Sequence, residues 1–182
     1  DRRTRVMAVM SIVFLHLHPV AVRKSGIRLS FTWCMGGLTF FLFLVETVTG
    51  VLLMFYYRPT LEHAYNDILA LRDVGTLGIL REIHRWGAHA MVITIWLHMY
   101  RVFLTGSYKP PREFNWVVGV ILLLLTLLLS FTGYLLPWDQ KGYWATKVPT
   151  NLMSLAPGGE YLQKLVVGGS DYGHHTLTRF FA

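Results

Sequence analysis

Three histidines, His84, His89 and His98, stand in one largely apolar stretch of this chain. An imidazole at hydrocarbon depth is costly and is usually kept there to bind or relay something. Fourteen residues separate His84 from His98. At about 100° per residue that interval ends about 40° short of four turns, so both rings leave the same helix face, roughly 21 Å apart along the axis. A single metal ion would need its histidines within a turn or two. The spacing therefore predicts two separate axial positions, one near each membrane surface, for two stacked haems. His89 is turned about 140° from His84 and reads as a packing or hydrogen-bonding residue.

The neighbours of the two histidines support that chemistry. Arg81 precedes His84 by one turn and Arg101 follows His98 by one turn, each placing a guanidinium nearer its own membrane surface, where a haem propionate needs a charged partner. The fourteen-residue interval also recurs in glycine, as Gly36 and Gly50 in the preceding apolar block and Gly119 and Gly133 in the following one. Without a side chain, a helix can approach a flat macrocycle closely at that level. Histidines that only bond between helices, and glycines that only ease helix packing, are the plainer reading. A common interval in three successive blocks is hard to obtain that way.

Three apolar blocks must position these residues, and each has the length of about 20 residues that a membrane-spanning helix needs: Thr32–Tyr57, Ile83–Leu104 and Asn115–Leu136. The chain has 182 residues, 53% of them hydrophobic, and its 17 Lys and Arg outnumber 10 Asp and Glu. Because the basic residues fall between the apolar blocks, this composition describes a membrane protein with basic ends and excludes a soluble nucleic-acid binder. Arg2, Arg3, Arg5, Arg23, Lys24 and Arg28 precede the first span, whereas the loop from Arg58 to Leu80 carries Glu62, Asp67 and Asp73. The N-terminus is expected inside, on the cytoplasmic or stromal side. Residues 1–28 form an interfacial segment, read as a surface-lying helix because no small-residue cleavage site follows it. After Pro137 the chain is expected on the outer face, where Pro149, Pro157-Gly158-Gly159 and Gly168-Gly169 predict short surface helices joined by turns.

The runs Ile83-His84-Arg85-Trp86, His98-Met99-Tyr100-Arg101-Val102, Thr132-Gly133-Tyr134-Leu135-Leu136-Pro137-Trp138-Asp139-Gln140 and Leu177-Thr178-Arg179-Phe180-Phe181 resemble the cytochrome b/b6 family of cytochrome bc and bf complexes. The resemblance runs from about residue 30 to the end. Tyr57-Arg58-Pro59 and Gly142-Tyr143-Trp144 are similar to the chloroplast type, while Thr150-Asn151-Leu152 and Phe180-Phe181-Ala182 look more mitochondrial. It implies an all-α transmembrane bundle, with residues 29–182 as an N-terminal haem-binding domain and a fourth helix expected beyond Ala182. That helix should carry the second axial ligands, either in a longer form of this subunit or in another chain.

What the resemblance implies for function is electron transfer in a Q-cycle coupled to proton translocation. Quinol is oxidised near the outer face, and electrons pass through two b-type haems, held by His84 and His98 with Arg81, Arg85 and Arg101 nearby, to a quinone near the inner face. The outer quinol pocket would comprise Tyr134, Pro137, Trp144, Ala145 and Val148. Cys34 stands where chloroplast-type members hold a third, c-type haem by one thioether bond; read alone it is a buried thiol. Implied partners are a Rieske iron-sulfur protein, a c-type cytochrome and a subunit IV-like C-terminal cytochrome b subunit. The complex would be a homodimer in a bacterial inner or thylakoid membrane, with no nucleic acid. One departure is Glu46, in mid-span where the family usually has glutamine. A carboxyl at that depth must be protonated or tightly partnered, as a proton-handling residue or a neutral hydrogen-bonder. The alternatives are a dihaem membrane anchor of another respiratory oxidoreductase, against which the Pro137-Trp138 segment argues, and a haem-free scaffold or transporter.

Overall fold

Residues with few helix breakers and long apolar runs fold here as helices, and a computed structural model describes residues 28–110 and 112–182. The surface helix expected within residues 1–28 lies outside the described residues, apart from Arg28. In chain order the helices are α1 (Leu29–Thr32), α2 (Met35–Met54), α3 (Ala64–Asp73), α4 (Gly75–Leu104), α5 (Glu113–Leu135), α6 (Gln140–Ser154), α7 (Gly159–Val167) and α8 (His174–Phe181). No strand occurs among the described residues.

The lengths of α2 and α5, 20 and 23 residues, correspond to about 30 and 35 Å of helix, enough to cross a hydrocarbon core of about 30 Å. Both are apolar enough to do so, and Phe40, Phe41, Leu124 and Leu129 on them are exposed, as lipid-facing side chains must be. The histidine-bearing α4 is 30 residues long and less apolar, because it carries Arg81, Glu82, Arg85 and Arg101 as well as three imidazoles. It begins eight residues before the expected Ile83, since Gly75–Glu82 is helical without being an apolar run.

The first span also differs at its start. Trp33 and Cys34 take left-handed backbone angles, φ 50° and 51°, so the expected continuous helix from Thr32 is broken there and restarts at Met35. Side chains other than glycine resist that region, and neither residue type announces the break. Pro149, expected at a turn, lies inside α6, where it deprives the Ala145 carbonyl of an amide partner. The Gly158 and Gly168 turns are as expected: both are left-handed, and Gly168 closes α7 by donating its N–H to Lys164 O at 2.9 Å.

Two compact units divide the chain. The first contains the described residues up to Phe43 with His89–Thr126, the second Leu44–Ala88 with Leu127–Ala182. In the first, Met91, Ile95 and Met99 of α4 are buried, Thr39 bonds Thr94 at 3.1 Å, and Phe103, Tyr108 and Trp116 stack within 6.4 Å of one another. In the second, buried Tyr57, Ala64, Leu135 and Leu177 form a core packed by Trp138, Phe180 and Phe181. The Tyr57 hydroxyl donates to Leu136 O at 2.6 Å. Three distant runs of the sequence, around Tyr57, Pro137 and Phe180, therefore meet in one core. The loop after α2 is tied by Arg58, which donates to Asp67 from its amide and guanidinium at 3.0, 3.0 and 2.6 Å. Those hydrogen bonds hold the Asp67 carboxyl below the usual carboxylate range despite its burial.

Candidate functional site

Each histidine singled out by spacing is met by a glycine of α2. A Cβ placed on Gly36 would stand 3.1 Å from His98 Cε1, and one on Gly50 would stand 3.2 Å from His84 Cε1. Both distances are tighter than an ordinary side chain accepts, so the bare backbone is what lets α2 lie against each ring. Gly36 and His98 belong to the first unit, Gly50 and His84 to the second, so the arrangement occurs twice, once per unit. Of the third-span glycines, Gly119 faces Met99 Sδ at 3.5 Å and Gly133 has open space beside it.

The rings differ in what their nitrogens meet. His84 Nδ1 is 2.8 Å from Thr49 Oγ1 and 3.1 Å from Glu46 Oε2. The Thr49 hydroxyl spends its one proton on Val45 O at 2.7 Å, so toward His84 it can only accept. Two acceptors at Nδ1 require Nδ1–H, which leaves the lone pair on Nε2, the nitrogen free to ligate iron. His98 Nδ1, by contrast, is buried with no hydrogen-bond partner among the described residues.

Arg101 donates to Thr32 O at 3.1 Å. Arg81 and Arg85 both pair with Glu82, at 2.9 and 2.6 Å, and Arg85 lies 5.0 Å over the Trp86 ring. Arg81 also lines a cleft with Ile68, Arg72, Glu82 and Trp86. His89 is exposed. Cys34 is exposed as well, with its Sγ 3.1 Å from where a Cβ on Gly37 would be. Gly36, the other glycine of that run, faces His98 instead. Of the residues expected to hold quinol, Trp144, Ala145 and Val148 lie exposed within α6 and Tyr134 is exposed near the end of α5, while Pro137 is partly buried.

Sequence reasoning missed two contributors. Thr49 is the buried residue of α2 and one turn from Glu46, a polar pair at helical spacing in an apolar run, which was the available signal. Gly87, one turn after His84, is where the Glu46 carboxyl sits, since a Cβ there would collide with Glu46 Oε1.

Among the described residues no three His, Cys, Asp or Glu side chains converge on one point, so a lone hydrated ion has no cage here. What fits is a group that brings its own equatorial ligands and asks one imidazole of each unit. Haem is such a group, and the glycine-backed rings match its needs.

Residues 20–182 match the family described as Cytochrome b/b6/petB. Cytochrome b6 of Chlamydomonas reinhardtii and that of Porphyra purpurea are each 46% identical over 152 residues, covering 82% of this chain and 71% of theirs. Cytochrome b6 of Prochlorococcus marinus strain MIT 9515 is 43% identical over the same length, covering 82% of this chain and 70% of its own. A solved structure titled Hyperthermophilic respiratory Complex III contains a chain that superposes with a TM-score of 0.78 at 26% identity. That similarity covers 100% of this chain and 48% of the other, so this chain spans about half of the solved one.

Proposed function

The chain belongs to the cytochrome b/b6/petB family and is an integral membrane protein, and from that premise we propose that it is the dihaem cytochrome b subunit of a quinol:cytochrome c or plastocyanin oxidoreductase. It would carry electrons between a quinol-oxidising and a quinone-reducing site in a Q-cycle coupled to proton translocation. The observation that carries this reading is the duplicated contact of Gly36 with His98 and Gly50 with His84. Two similar single-imidazole positions fourteen residues apart on one helix suit electron transfer across a membrane.

Bound haem would supply reversible one-electron chemistry at each position. The chain's own share is to place and tune it. His84 offers Nε2, because Thr49 and Glu46 accept at Nδ1. His98 offers a ring held against Gly36. Arg101 and Arg81 supply positive charge one turn beyond each histidine for propionates, with Arg85 beside Arg81; the Glu82 pairs that now hold Arg81 and Arg85 are partly exposed and cheap to exchange. The apolar helices exclude water.

Quinol would bind along Tyr134, Pro137, Trp144, Ala145 and Val148. The three residues from α6 lie within a turn of one another, on an exposed stretch suited to an apolar ligand or a partner subunit. Rieske protein, c-type cytochrome and a subunit IV-like chain complete the assembly in this reading. Cys34, exposed in a left-handed turn, would hold a third haem covalently; haem staining after denaturing electrophoresis should then mark this polypeptide, and an unstained band from haem-replete complex would make Cys34 an ordinary thiol.

The test of the function is quinol addition to the purified complex with visible difference spectroscopy. Bands of two b-type components should appear, and inhibitors of quinol oxidation should block turnover. Absence of any b-type band would overturn the reading, and inhibitor-insensitive reduction with no c-type acceptor would favour a membrane anchor of another oxidoreductase.

A further inference from the structure

Glu46 is the acidic residue within α2, and the site geometry shows where its cost is recovered. One carboxyl oxygen, Oε2, lies 3.1 Å from His84 Nδ1. The other, Oε1, is buried against Gly87 and has no hydrogen-bond partner among the described residues. The contact at Gly87 leaves the carboxyl little room: a side chain there would push it off the imidazole. Thr49 adds a second acceptor at the same nitrogen, 2.8 Å away. His84 is thus held from behind by an oxygen pair, one member of which is a carboxyl.

We infer that Glu46 is a positioning and tuning residue for His84: it accepts the Nδ1–H, fixes the ring with Nε2 toward iron, and lowers the reduction potential of that haem alone. This rests on the dihaem reading. A carboxylate behind a metal-bound histidine fixes its tautomer and raises its basicity. A charge-assisted hydrogen bond of this kind is about twice as strong as a neutral one. A more basic ligand favours the ferric state, so the equilibrium at this haem is pulled toward oxidation. Hydrogen bonding around the ligand is one of the few means by which a protein sets haem potential. His98, with no partner on Nδ1 among the described residues, lacks this lever. The two haems are separated in potential by side chains behind the ligands, although the ligands themselves are identical.

The experiment is an equilibrium redox titration of the purified complex, following both b-type components in the visible spectrum, with the component absent from His84→Ala identifying the His84 haem. Glu46→Gln keeps size and a neutral acceptor, and restores the residue the family usually carries. It should shift that component about tenfold toward the reduced form at a given ambient potential, about 59 mV for a one-electron couple. The low-spin EPR signal of the same haem should move, and the other haem should stay put. Gly87→Ala, which displaces the carboxyl without changing it, should move the same component in the same direction and decides the matter if Glu46→Gln does not assemble. Unchanged potentials, or a shift confined to the His98 haem, would overturn the role of Glu46. A wild-type complex without two b-type components would overturn the dihaem reading instead.

Discussion

The His84 and His98 regions are built to one plan and finished differently. In each, a histidine of α4 lies against a glycine of α2 at nearly the same closeness, 3.2 and 3.1 Å from a hypothetical Cβ. Behind His84 stand Thr49 and Glu46, whereas behind His98 no partner is found among the described residues. In the proposed dihaem reading, what is shared is what ligation would demand: an imidazole beside a helix near enough to wall it in. What differs is what tuning would demand, and tuning depends on single side chains that can change without disturbing the scaffold.

The most severe way to break the comparison is to remove the shared part. Gly50→Leu should abolish the His84 haem and spare the other, and Gly36→Leu should do the reverse, because a bulky side chain at about 3 Å from a ring must displace it. Haem content and difference spectra of each variant check this. Loss of both haems from either change would mean that the two regions are not independent.

A smaller effect is expected of the arginines, and it should be unequal. Arg101→Gln should lower the midpoint potential of the His98 haem, since positive charge favours the reduced, more negative state. Arg81→Gln should lower that of the His84 haem by less, because Glu82 already offsets Arg81 at 2.9 Å. Redox titration of both variants gives the answer, and equal shifts would remove Glu82 from the account.

The smallest expected effect lies away from both histidines. The folded-state pKa of Asp67 is lowered, chiefly by its hydrogen bonds from Arg58. Its stabilising contribution is therefore complete above the unfolded value of about 3.9 and is lost as pH falls through the lower folded value. Asp67→Asn should remove this acid-sensitive step from unfolding below about pH 4 while leaving haem potentials alone, as measured by thermal denaturation across pH.

The helices were legible in the sequence, and so were the two histidines that α2 meets with a glycine, because both follow from periodicity. Apolar blocks of bilayer length mark spans, and a fourteen-residue interval marks one face whatever surrounds it. Two kinds of feature were not legible. The eight residues added to the start of α4, and Pro149 inside α6, are set by packing outside the apolar runs, where no single residue type signals the boundary. The left-handed Trp33 and Cys34 likewise lack the glycine that usually announces such a turn. The second kind is partnership across helices. Glu46 stood out as an acid in mid-span, but that its carboxyl meets His84, and not His89 five residues further on, depends on the rotation of α2 against α4. Gly87 gave no sign of its role because a glycine in a helix is silent until something is seen resting on it.

The central claim is that each unit holds one haem through one imidazole of this chain. Quantifying non-covalent haem per complex in wild type, His84→Ala, His98→Ala and the double variant tests it most directly. Each single change should remove one spectrally distinct b haem and the double change both, with His89→Ala without effect. Retention of both haems in the single variants, or their loss on changing His89 alone, would contradict it.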